Sequence, residues 1–153
     1  MSDKNIISKN KIKENLETEI IGSKIYYYSN INSTNKMASE LANSGANEGT
    51  IVIADKQTGG KGRRGRNWHS SNKGLWFSLI LRPDINISNS HFLTINASLA
   101  VYLALDDLGI ETEIKWPNDI LYQNKKLCGI LSEMNSSSSK LNYIVTGIGI
   151  NVN

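Results

Sequence analysis

The chain is poor in the residues that most often carry chemistry. It has one cysteine, Cys128, so no disulfide can close within it, which suits a reducing cytosol. Its two histidines, His69 and His91, stand too far apart to suggest a metal site. No apolar run reaches the roughly 20 residues of a membrane span. The start, MSDKNIISKN, lacks the apolar core of a signal peptide. A cytoplasmic protein without a membrane partner is expected. The formal charge of +3 (17 basic minus 14 acidic side chains) is too small for a general polyanion binder. At 153 residues the chain suits one domain, which would bury roughly 70% of its unfolded surface.

What is present is concentrated charge. Gly60 to Arg66 reads GKGRRGR, four cations and three glycines in a segment suited to neither helix nor strand. Apolar runs on both sides make it a loop between two strands. Its glycines let backbone N–H groups turn toward an anion, and an arginine fork makes paired hydrogen bonds to carboxylate or phosphate. A solvated basic hairpin or a nucleic-acid-binding tract would have a similar composition, so both readings stay open on this segment alone.

Residues 1–19 read as a polar lead-in, with some helix around Lys11 to Glu19, and 20–153 as the folded domain. Strand formers occupy Ile20 to Tyr28. Ser33 or Thr34 caps a helix from about Asn35 to Asn43 that stops at Gly45. Strands follow at Thr50 to Lys56 and over GLWFSLILRP. Ser90 to Leu108 has helical spacing and is apolar nearly all round from Ala97 to Leu105, which predicts burial on more than one side. Glu113 to Trp116, Ile120 to Gln123, Lys126 to Glu133 and Leu141 to Ile150 read as strands. Turns are expected at Asn124-Lys125 and Ser136 to Ser139. The pattern predicts an α+β fold, a mixed or antiparallel sheet with helices packed on one side.

Several shorter motifs have a chemical and a structural reading. In KWPND, Pro117 must break a strand and leave Lys115, Asn118 and Asp119 at its end, where a ligand could meet them. The alternative is a plain corner with Trp116 in the core. Lys126 either stays in solvent or points inward toward an anionic partner. Cys128 reads as core. Ser33-Thr34-Asn35 is explained by helix capping, and a ligand's polar head would be a second use of the same groups. In Gly147-Ile-Gly149-Ile-Asn151, two strand glycines mark a bulge or the close approach of a ligand or chain.

In order along the chain, STN, Q-x-x-GKGRRGR-x-W, KWPND, KLCGI and GIGIN resemble the biotin protein ligases over about Ser29 to Asn151. The resemblance implies a class II synthetase-like biotin/lipoate ligase catalytic domain. Such enzymes join the biotin carboxylate to AMP from ATP with Mg2+, then pass the acyl group to a lysine on a carboxylase carrier domain. By that resemblance Ser33, Thr34, Asn35, Gln57, Lys61, Gly62, Arg63, Lys126 and Gly129 bind biotin. Arg64, Arg66, Trp68, Lys115, Asn118, Gly149 and Asn151 lie on the ATP side. Arg63, Lys115 and Lys126 are the expected catalytic cations, and the metal ligands stay unassigned. The chain would correspond to the N-terminal portion of the catalytic domain, without a DNA-binding domain or a C-terminal β-barrel. DNA is therefore not an expected partner, and the oligomeric state, a homodimer included, stays open. A binding remnant without full transfer activity and a lipoate or octanoate ligase are the alternatives, and KWPND speaks against the second.

Overall fold

The computed structural model describes residues 8–138 and 140–152; Met1–Ile7, Ser139 and Asn153 fall outside it, with part of the expected lead-in and hairpin end. Among the described residues the strands are β1 (Ile25–Tyr28), β2 (Ile51–Ala54), β3 (Gly74–Leu81), β4 (Glu113–Lys115), β5 (Asp119–Tyr122), β6 (Lys125–Ser137) and β7 (Lys140–Asn151). They form one seven-stranded sheet in the order β1-β2-β3-β7-β6-β5-β4. The β1–β2 pair is parallel and every other pair antiparallel. The helices are α1 (Lys9–Asn15), α2 (Thr34–Asn43) and α3 (His91–Asp107). The parallel pair follows from connectivity, because α2 crosses over between β1 and β2 where a tight hairpin could not.

The α+β class and mixed sheet agree with the sequence reading, but the helices do not share one side. Ala38 and Ala42 of α2 meet Val52, Ile80, Tyr143 and Val145. Val101 and Leu105 of α3 meet Ile120, Cys128, Ile130 and Ile148, with Phe77 alongside. Ile80 and Phe77 have opposite parity on β3, as do Val145 and Ile148 on β7, so the two helices cover opposite faces. Nor is α3 buried on several sides. Ser98, Val101 and Leu105 form its one buried stripe, while Phe92, Leu99 and Leu103 are about half exposed.

Local differences have local causes. Helix α1 ends at Asn15 because Leu16 turns extended, and its side chain reaches the Gly22 backbone. Strand β6 starts at Lys125, one residue early, because Gln123 and Asn124 take positive φ (49° and 62°) and make the turn. Such left-handed pairs match the twist of a two-residue hairpin. Trp116 is 72% exposed rather than core.

Cys128 is fully buried, and burial pushes its thiol up to about 12 from an ordinary 9.0, with Lys126 opposing and Asp119 adding to the rise. It is a core residue and a poor nucleophile at neutral pH. Because the folded-state pKa is raised, the stability gained by keeping the thiol protonated is complete below pH 9 and is lost as pH climbs toward 12. The loss is at most about 1.4 kcal/mol per pH unit. Urea unfolding at about pH 8 and about pH 10.5 should show this slope in the native chain and a shallower one in Cys128→Ala. Equal slopes would place the alkaline loss elsewhere.

Candidate functional site

The site forms where α2 begins above the centre of the sheet. Ser33 caps the helix, its side chain accepting from Lys36 N–H, and Gly45 (φ 88°) ends it. Alanines at 38 and 42 let α2 sit close to the sheet, which brings Thr34 and Asn35, both nearly buried, against β3 and β7. Gly147 makes room for this approach. A Cβ there would lie 2.0 Å from Asn35 Oδ1.

The basic loop closes the opposite wall. Its tip, Arg63–Gly65, is a single 3-10 turn with Arg64 at φ 59° and Gly65 at φ 72°. Gly62 N–H donates to Arg66 O at 2.7 Å and Trp68 N–H to Gly60 O at 2.8 Å, so the cationic tip stands on a paired stem. Arg63 Nη1 donates to Asn118 Oδ1 at 2.9 Å, and Asn118 Nδ2 to Ile130 O at 3.0 Å. Two motifs 55 residues apart thus meet in one hydrogen bond. The KWPND segment is held from behind by α3, whose Ser98 Oγ donates to Pro117 O at 2.8 Å.

The floor comes from β6 and β7. Gly129 and Gly149 are paired across the strands, and a Cβ on either would strike the Trp68 indole at 3.0 Å or less. Lys126 Nζ lies 4.9 Å from the centroid of that indole and 2.8 Å from Asp119 Oδ1. Lys126 lines the cavity while staying 41% exposed, and its anionic partner lies within the chain. The 2.8 Å ion pair meets that carboxylate oxygen. Trp68 Nε1 is buried and has no hydrogen-bond partner. An unfilled donor of this kind is costly unless a ligand or water meets it.

Together these walls enclose a cavity of about 460 Å³. Ser33, Thr34, Asn35 and Gln57 line one end, and Lys61, Gly62, Arg63, Arg64, Arg66 and Trp68 the loop side. Asn118, Lys126, Gly129 and Gly149 complete it. Lys115 and Asn151 are not brought to its wall. Lys115 is exposed on β4, and Asn151 Nδ2 donates to Lys126 O at 3.2 Å. Sequence reasoning passed over Ser70, Ser78 and Glu133, and placed Asp119 at a strand end open to a ligand without pairing it with Lys126. Ser78 had a legible signal, a hydroxyl in the middle of LWFSLIL. The arrangement offers polar amides at one end, cations at the other, and room for an elongated ligand ending in an anion.

Fold and cavity define a domain of the biotin/lipoate ligase type. A profile of the Biotin/lipoate A/B protein ligase family matches residues 27–151, and the chain belongs to that family. It is 48% identical over 149 residues to the bifunctional ligase/repressor BirA of Bacillus subtilis, covering 96% of this chain and 46% of that protein. It is 36% identical over 126 residues to the biotin–[acetyl-CoA-carboxylase] ligase of Paracoccus denitrificans, covering 78% of this chain and 51% of that one. The fold matches the biotin protein ligase of Aquifex aeolicus, solved in complex with biotin and ATP, with a TM-score of 0.66 and 35% identity. That match covers 86% of this chain and 53% of the other. The chain thus spans about half the length of these relatives. What it matches in them is a biotin protein ligase catalytic domain.

Proposed function

We propose that this chain activates biotin with ATP to biotinyl-5′-AMP and transfers the biotinyl group to a lysine of a biotin carboxyl carrier domain, in the cytoplasm. The observation that carries this reading is one cavity with uncharged hydrogen-bonding groups at one end and the Arg63–Asn118 junction at the other. Such a cavity suits a neutral polar head joined to a carboxylate.

Biotin carboxylate and the α-phosphate are both anionic, so reaction needs positive charge between them and a fixed approach. The biotin head lies at Ser33, Thr34, Asn35 and Gln57, and its carboxylate points toward Lys61, Gly62 and Arg63, over Gly129. A carboxylate oxygen attacks the α-phosphorus as its bond to the bridging oxygen breaks and pyrophosphate leaves. Arg63 and Lys126 meet the charge that develops. Arg64, Arg66, Trp68, Asn118 and Gly149 hold the nucleotide, and Lys115 and Asn151 join them if the basic loop and strand ends close on it. In the second step a neutral carrier amine attacks the acyl carbon, AMP leaves and the amine sheds a proton. No side-chain nucleophile takes part. Among the described residues no group of three His, Cys, Asp or Glu could hold a metal. Magnesium would offset the charge of the triphosphate, and Asp119 is the carboxylate on the cavity wall that could help to hold it.

Incubation with biotin, ATP, Mg2+ and a carrier domain should add one biotinyl group to the carrier by mass spectrometry, and lipoate in place of biotin should add nothing. Adenylate without transfer would reduce the chain to an activating domain. Failure to form adenylate at all would overturn the reading.

A further inference from the structure

A continuous hydrogen-bond chain runs under the amide end of the cavity. Asn35 Nδ2 donates to Glu133 Oε2 at 2.7 Å and reaches Leu131 O at 3.3 Å. Buried Ser78 Oγ lies 2.6 Å from Asn35 Oδ1 and 2.8 Å from Thr34 Oγ1. Thr34 N–H donates to Gln57 Oε1 at 2.8 Å, and Gln57 Nε2 to Ser70 Oγ at 2.8 Å.

Two members of this chain cannot reverse their roles. An ionised carboxylate only accepts and a backbone N–H only donates. Glu133 therefore compels Asn35 to turn its NH2 outward, and Thr34 N–H compels Gln57 to turn its oxygen toward α2. Ser78 gives its single proton to Asn35 Oδ1, the shorter of its two contacts. One lone pair of that oxygen is left; the oxygen sits against the bare backbone of Gly147, and both residues line the cavity. Glu133 itself is not on the wall, so it can act on a ligand only through Asn35.

We propose that Glu133 is a positioning residue. It locks the Asn35 amide with its oxygen toward the ligand, so that the site selects a head group donating an N–H at that point. This rests on the biotin reading of the cavity, in which a ureido N–H is the donor. A cyclic carbamate analogue, with one ureido N–H replaced by ring oxygen, would set a lone pair against a lone pair.

The test is calorimetric binding of biotin and of both carbamate regioisomers to the native chain, Glu133→Ala, Glu133→Gln and Glu133→Lys, with thermal unfolding followed in parallel. The native chain should disfavour one regioisomer by about tenfold or more, the cost of leaving a polar group unmatched. Glu133→Ala frees the amide to turn over, so the ratio should collapse toward one while ATP affinity holds. Glu133→Gln retains an accepting oxygen and should keep most of the discrimination. Glu133→Lys can only donate, so it should turn Asn35 around and shrink the ratio at least as far as alanine, even if the alanine variant does not fold. An undiminished ratio in Glu133→Lys, or in a folded Glu133→Ala that binds every ligand more weakly by one factor, makes Glu133 merely structural and overturns the proposal. Biotin binding without discrimination by the native chain overturns this inference alone. No biotin binding by the native chain overturns the reading of the cavity and this inference with it.

Discussion

Arg63→Ala and Lys126→Ala should each lower biotin-dependent ATP–pyrophosphate exchange by about 10²- to 10³-fold, the usual effect of removing one donor aimed at developing charge. Both side chains face the same cavity from different elements, Arg63 tied to Asn118 and Lys126 beside Asp119. The fold should survive. Arg63 is exposed, and the Lys126–Asp119 contact, with the lysine 41% exposed, contributes about 1 kcal/mol at most after solvent screening. Arg63→Lys should recover only part of the loss, since an ammonium keeps the charge but not the planar fork. Near-native exchange in both alanine variants, with intact thermal unfolding, would remove these residues from the reaction.

Gly147→Ala should damage the opposite end of the cavity. The new methyl would lie 2.0 Å from Asn35 Oδ1 and 2.8 Å from its Cγ, closer than real contacts allow. Either Asn35 moves, breaking its bonds to Ser78 and Glu133, or β7 bends away from α2. The expected stability loss is about 1–3 kcal/mol, as for overpacking elsewhere. Biotin KM should rise by about tenfold or more, the loss of one matched hydrogen bond in the head-group site. ATP KM should change much less, because the clash lies away from the basic loop. An unchanged biotin KM would mean that Asn35 does not hold the head group.

Local motifs were the most legible in the sequence. Ser33 or Thr34 as a cap and Gly45 as a stop announced α2, and GKGRRGR announced a loop that could be neither helix nor strand. Cys128 read as core from its apolar strand, and it is core. Failures came where neighbours far along the chain decide the outcome. Trp116 looked like a core aromatic, yet the turn after β4 leaves it in solvent. Helix α3 looked buried on more than one side because composition does not say how many surfaces will meet a helix. The partner of Lys126 was legible only as an unspecified anion; Asp119 emerged when β5 and β6 paired.

By itself the order of residues determined the strands, the capped helix, the cationic loop and the ligase resemblance, since each depends on neighbours within a few residues. Only the tertiary structure decided that α2 and α3 take opposite faces, that Arg63 meets Asn118, and that Glu133 meets the Asn35 amide 98 residues away. Strand register sets those outcomes. A one-residue slip of β6 against β7 would send Glu133 to the other face, and no local propensity encodes that choice.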